Sequence, residues 1–97
     1  MRSIELEVRN TSGLHARPAA LFVRTAAGFR SKLRVRNVLR QSPDVDAKSI
    51  LGVLGLGVGH GGRIELIAEG DDESQALESL RQLVESGLGE AQAAPAE

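Results

Sequence analysis

One stretch of the chain, Gly13-Leu14-His15-Ala16-Arg17-Pro18-Ala19-Ala20, gathers groups that could do chemistry on an anion. A turn glycine leads into a histidine, and a proline follows where a helix would make its first turn, the place where its missing N–H costs nothing. His15 then lies at or near an N-cap. The unpaired amides of Ala16 and Arg17 stand beside it at the positive end of the helix dipole. Such a place suits an anion, phosphate above all, and the Arg17 guanidinium can fork onto phosphoryl oxygens. These residues alone leave two chemistries open for His15. It caps the helix and no more, or its neutral imidazole is a nucleophile that accepts a phosphoryl group covalently.

The rest of the inventory narrows the choice by what it lacks. The 97 residues make one domain with a thin core and no large interior for a cofactor, and none is expected. There is no cysteine, hence no disulfide framework, thiolate nucleophile or Cys-rich metal site, and two histidines make no metal cluster. Twelve Lys plus Arg against 13 Asp plus Glu give a net charge of −1, without the basic excess that nucleic-acid binding requires. Phe22 and Phe29 are the only aromatic residues, too few for a base-stacking platform. No apolar run approaches the ~20 residues of a membrane span, and the N-terminus lacks the apolar stretch of a signal peptide. The expectation is a small cytoplasmic monomer, with no membrane insertion.

Periodicity supplies the elements that must position the histidine. Residues 3–9 alternate, with Ile4, Leu6 and Val8 on one face, and read as a strand ended by the turn cluster Asn10-Thr11-Ser12-Gly13. A helix is predicted over 16–27, with Ala19, Phe22, Ala26 and Phe29 facing the core and Gly28 as its stop. Residues 32–38 form a second strand around Leu33 and Val35, and 44–46 a short third. A short helix is expected over 47–54, with Asp46 as its N-cap. The glycine run 55–62 supplies tight turns before the last strand, 63–68; no Gly-Lys-Ser/Thr follows it, so it is not a nucleotide loop. Asp71 and Asp72 open a final helix whose stripe is Ala76, Leu77, Leu80, Leu83 and Val84. The order β-α-β-β-α-β-α predicts an α+β two-layer sandwich, a four-stranded antiparallel sheet with three helices on one face. The domain is placed at 1–89, followed by a flexible tail, 90–97.

The outward face of the first helix carries Arg17, Leu21 and Arg24 at i, i+4 and i+7, with Ala20 beside them. A leucine framed by arginines suggests a contact surface for an acidic, partly apolar partner. The near-zero net charge hides this asymmetry, because Asp71, Asp72, Glu73, Glu78 and Glu85 gather on the last helix.

The segment Gly13-Leu14-His15-Ala16-Arg17-Pro18-Ala19 resembles the active-site signature of HPr, the histidine-containing phosphocarrier family of the bacterial phosphotransferase system. Lys48-Ser49-Ile50-Leu51-Gly52-Val53-Leu54-Gly55-Leu56-Gly57 is similar to that family's regulatory-serine segment, and the likeness runs over about residues 3–89. The resemblance implies the HPr-like open-faced sandwich and a carrier rather than a free-standing enzyme. It implies phosphorylation of His15 on Nδ1, with Arg17 steadying the phosphoryl group. Phosphoenolpyruvate would be the ultimate donor through enzyme I, and enzyme IIA domains of sugar transporters the acceptors. Ser49 matches a serine modified by an HPr serine kinase/phosphorylase, although serine is also favoured near a helix N-terminus for structural reasons. The implied docking surface is Ala16, Arg17, Ala20, Leu21, Arg24, Ile50, Leu51 and Leu54.

There are departures from the family pattern. Residues 37–46 look about three longer than the usual hairpin, Gly55 stands where many relatives carry serine, and His60 replaces a Gln or other polar residue. His60 reads as an exposed turn residue. The rival within the class is a nitrogen-related carrier or the carrier domain of a larger fusion. The rival outside it is a regulatory module that binds a small anion without covalent chemistry.

Overall fold

The computed structural model describes residues 1–90 and folds them as β1 (Arg2–Glu7), α1 (Ala16–Ala27), β2 (Lys32–Asn37), β3 (Val45–Asp46), α2 (Ile50–Gly55), β4 (Arg63–Glu69) and α3 (Glu73–Glu85). The strands make one antiparallel sheet in the order β1-β4-β2-β3. Ile4 lies opposite Leu66, and Leu66 lies opposite Val35, so the alternating apolar residues of three strands share one face. The open-faced α+β sandwich with three helices is the arrangement expected from the periodicity.

The core lies between that face and the helices. Leu6, Val8, Leu33, Val35, Ile64, Leu66 and Ala68 are buried against Ala19, Phe22 and Ala26 of α1 and Ala76, Leu77, Leu80 and Val84 of α3. Burying each large apolar side chain stabilises the fold by about 1.5–3 kcal/mol. Ile4, Phe29 and Leu83, expected in the core, are half-buried at its margin. The sheet's other face is open and charged. Arg36 pairs with Glu65 at 2.7 Å, Arg34 with Asp44 at 3.0 Å and Arg63 with Glu5 at 3.3 Å. Such exposed pairs contribute about 0–1 kcal/mol each and mainly keep the face soluble.

The start of α2 differs from expectation for a physical reason. The amide of Ala47 donates to Leu33 O at 2.9 Å, continuing the strand ladder, so the chain cannot turn helical there. Asp46 instead accepts the Lys48 amide at 2.9 Å in a local turn, and Ser49 caps α2 by accepting from Gly52 N at 3.1 Å. Asp72 occupies the N-cap position of α3 without capping it. Its carboxylate reaches across to the amides of Arg30 and Ser31, both at 2.9 Å, and to the Ser31 hydroxyl. The Ser31 hydroxyl and then the Arg30 amide hold that carboxyl below its usual range. Among the described residues no helix is long and apolar enough to cross a membrane. Of the expected tail, 91–97 lie outside the described residues, but Glu90 is folded onto the domain.

Candidate functional site

The turn between β1 and α1 is built to present one side chain. Asn10 is fully buried; its backbone O accepts from Gly13 N at 3.2 Å, and its Nδ2 donates to Gly13 O at 2.9 Å. Gly13 has φ +64, and a Cβ there would lie 2.4 Å from Val58 O, so only glycine fits between this turn and the glycine-rich loop. Leu14 is fully buried and donates its amide to Val58 O at 2.9 Å. With Leu14 fixed below, and Pro18 and Ala19 buried beyond, His15, Ala16 and Arg17 are left as an exposed crest.

His15 is the N-cap residue of α1, with φ −130 and ψ 157, but its side chain makes no capping hydrogen bond. Among the described residues neither ring nitrogen is engaged by a protein group. Both are open to a reaction partner. The amides of Ala16 and Arg17 also take no acceptor there, and Pro18 has no amide to offer. Ala16 itself has φ +50. For a residue with a Cβ this costs about 1–2 kcal/mol, so strain is held beside the histidine. α1 has no acidic residue in its first turn, which leaves the dipole's positive end uncompensated from within the helix.

The structure brings the remaining candidates onto one side of the helical layer, where α1 and α2 pack against each other. Arg17 and Arg24 are exposed, and Ala20, Leu21 and Leu54 half-buried. Ile50 is 39% and Leu51 79% exposed, so the short helix offers two large apolar side chains to solvent. Ser49, at the start of that helix, is half-buried through its cap bond to Gly52. His60 is an exposed turn residue without a hydrogen bond among the described residues. The long 37–46 hairpin is closer to this region than its place in the sequence suggested, because the Arg40 guanidinium lies over the backbone of Gly57 just beyond α2.

One participant escaped the sequence reading. The Glu90 carboxylate accepts from Asn10 Nδ2 and the Ser12 amide, both at 3.0 Å, and from the Ser12 hydroxyl at 2.8 Å. It thereby buttresses the turn that carries His15. The partners are about 80 residues apart in sequence, and no periodic signal connects them.

The chain resembles known families and structures. The sequence model described as PTS HPr component phosphorylation site matches residues 2–86. The chain belongs to the HPr family. It is 46% identical over 83 residues to the multiphosphoryl transfer protein of Haemophilus influenzae, a match covering 86% of this chain but 17% of that protein. The chain thus spans about a fifth of the length of the first of its curated relatives. Phosphocarrier protein HPr of Treponema pallidum is 43% identical over 86 residues, covering 88% of this chain and 93% of the relative. The crystal structure of HPr-C-His from Thermoanaerobacter tengcongensis superposes with a TM-score of 0.88 at 47% identity, over 94% of this chain and 99% of that one. Family membership thus places residues 2–86 with the HPr component of the phosphotransferase system.

Proposed function

We propose that this HPr-family chain accepts a phosphoryl group on His15 from phosphorylated enzyme I and passes it to enzyme IIA domains of sugar transporters. The observation that carries the reading is the exposed His15 with both ring nitrogens unengaged, at a helix start whose first amides are free. In the forward step the Nδ1 lone pair attacks phosphorus while the donor's bond to phosphorus breaks and its electron pair returns to the donor. The ring's Nε2–H is retained. Donation to an enzyme IIA reverses the roles, with the N–P pair returning to His15. Arg17 and the amides of Ala16 and Arg17 hold the phosphoryl oxygens through charge-assisted hydrogen bonds. No resident cofactor takes part, and the work belongs in the cytoplasm, on single copies of the chain.

The exposed Leu51 and Ile50, half-buried Ala20, Leu21 and Leu54, and the cationic Arg17 and Arg24 form the docking face. An apolar patch ringed by arginines binds acidic partners fast and releases them readily, as a relay requires. Incubation with phosphoenolpyruvate and enzyme I should place acid-labile, alkali-stable phosphate on the protein. A non-covalent anion module would acquire none, and that outcome overturns the reading.

Ser49 is the proposed regulatory site, modified by an HPr serine kinase/phosphorylase. Its phosphate would add about −2 charge at the start of α2, beside Ile50 and Leu51, and repel acidic partners. Aspartate caps a helix as well as serine does, so Ser49→Asp keeps the fold while mimicking part of that charge. The variant should be phosphorylated about tenfold more slowly by enzyme I. An unchanged initial rate would remove Ser49 from the regulatory role.

A further inference from the structure

Three turns gather at one end of the sheet. Glu7, at the end of β1, lies opposite Arg63 at the start of β4, and Asn37, at the end of β2, lies opposite Ile64. The acceptor turn after β1, the glycine-rich turn before β4 and the hairpin after β2 therefore share that end, with the glycine-rich turn in the middle. Val8 N donates to Gly62 O at 2.8 Å on one side, and Val38 N to Arg63 O at 3.0 Å on the other. Val58 O, in the same central turn, takes the Leu14 amide next to His15. Whatever the hairpin carries thus stands one turn away from the acceptor crest.

The 37–46 hairpin is the chain's main departure from the family pattern, and it is firmly held. Asn37 is buried; its Nδ2 donates to Leu56 O at 2.9 Å, and its Oδ1 accepts from the Arg40 amide at 3.2 Å. Ser42 N donates to Asn37 O and Gln41 N to Val38 O, both at 3.1 Å, and Gln41 is kept at φ +53. A left-handed non-glycine residue persists only where its surroundings over-determine it. This frame leaves Leu39 66% exposed and sets the exposed Arg40 against Gly57, just beyond α2. Among the described residues Arg40 has no ion-pair partner, and no carboxylate lines the groove between it and the glycine-rich turn. The groove encloses about 240 Å³. Small-molecule sites take roughly 300–1,000 Å³, so this one suits a side chain delivered by a protein. An unpaired cation beside an exposed leucine complements a carboxylate carried next to an apolar residue.

We propose that Arg40 and Leu39 form a second docking subsite, in which Arg40 receives a carboxylate of enzyme I when that protein seats on His15. This rests on the relay reading of His15. The groove shares Val58 and Gly59 with the seat of the acceptor turn, so a protein covering His15 also meets the hairpin. The donor is the occupant because it must meet the carrier in every cycle, whichever acceptor follows. The contact lies outside α1 and α2, and it strengthens encounter without altering the chemistry at His15.

The test separates binding from chemistry. Initial rates of labelling by enzyme I and phosphoenolpyruvate are measured over a range of carrier concentrations for wild type, Arg40→Gln, Arg40→Glu and Lys32→Glu. Lys32 is exposed at the other end of β2, so K32E matches the net charge of R40E away from the groove. At low salt KM should rise about threefold in R40Q and about tenfold in R40E, with kcat unchanged and K32E like the wild type. In 1 M salt, where the Debye length falls to about 3 Å, the R40Q and R40E values should approach that of the wild type. R40Q removes the charge without setting a carboxylate against the Gly57 backbone, so it decides the matter should R40E melt. An unchanged KM in R40Q, an equal rise in K32E, or a loss in kcat rather than KM would each overturn the subsite. Sensitivity confined to transfer from the loaded carrier to enzyme IIA would do the same, since the occupant would then be an acceptor. If the wild type takes up no phosphoryl group, the relay reading fails and takes this inference with it; normal wild-type uptake with an unchanged R40Q removes only the subsite.

Discussion

A His15→Ala protein takes up no phosphoryl group from phosphoenolpyruvate through enzyme I, whereas Arg17→Ala is phosphorylated at about a hundredth of the wild-type rate. The first result follows from the lack of an alternative nucleophile in the same setting. The only other histidine, His60, is an exposed residue of the glycine-rich turn and does not stand at a helix N-terminus. His60→Ala should therefore be labelled normally. The His15 change should not unfold the chain, because the side chain is exposed and makes no cap bond. An exposed substitution of this kind changes stability by about 0.5 kcal/mol or less. Arg17 behaves differently because it is not the acceptor. It supplies charge-assisted donors where charge accumulates on the phosphoryl oxygens, and losing such a group typically slows reaction about 10²–10³-fold. Quenched-flow labelling with ³²P separates the two variants. Residual label on H15A would move the acceptor elsewhere, and a wild-type rate for R17A would leave the helix amides as the only phosphoryl ligands.

How far the sequence revealed this site depended on how local each determinant was. The crest from Gly13 to Pro18 is contiguous, and each residue has a distinct local role. α1 and its core stripe of Ala19, Phe22 and Ala26 were therefore legible, as were the strands from the alternation of Leu33 with Val35 and Ile64 with Leu66. The start of α2 was misread because Asp46 and Ser49 are both good caps. The choice between them was made by Ala47, whose amide is committed to Leu33 across the sheet. Tertiary pairing decided what propensity left open. Asp72 opens α3 as expected, but its carboxylate serves the Arg30–Ser31 backbone rather than its own helix, a partner that no local pattern names. Glu90 was assigned to a tail because Gly87-Leu88-Gly89 reads as the end of order. In the structure those positive-φ residues turn the chain back to Asn10 and Ser12, a closure that no short window of sequence records.

Two glycine-to-alanine changes should have opposite effects and so test whether the acceptor turn is held by steric fit. At Gly13 the new Cβ would meet Val58 O at 2.4 Å, Gly59 Cα at 2.6 Å and Gly59 C at 2.7 Å. All three are backbone atoms, so none can swing aside as a side chain would. The φ of +64 adds the left-handed penalty that alanine carries and glycine does not. Separating the turn from the loop also loosens the 2.9 Å bond from Leu14 N to Val58 O. Together these should cost about 3 kcal/mol, lowering Tm by roughly 15 °C in a domain of this size. Phosphoryl uptake by the folded fraction should fall at least about tenfold, because a displacement near 1 Å at a reacting group can cost about 10²-fold. Gly55 is the counterpart. It lies in α2 without a positive φ, and a Cβ there meets nothing within 4 Å. Gly55→Ala should thus stabilise the chain by about 0.5–1 kcal/mol, by restricting the unfolded backbone, and leave uptake unchanged. Thermal melts paired with initial rates decide the matter. If Gly13→Ala melts and reacts like the wild type, the turn is not clamped against the glycine-rich loop, and His15 owes its exposure to α1 alone.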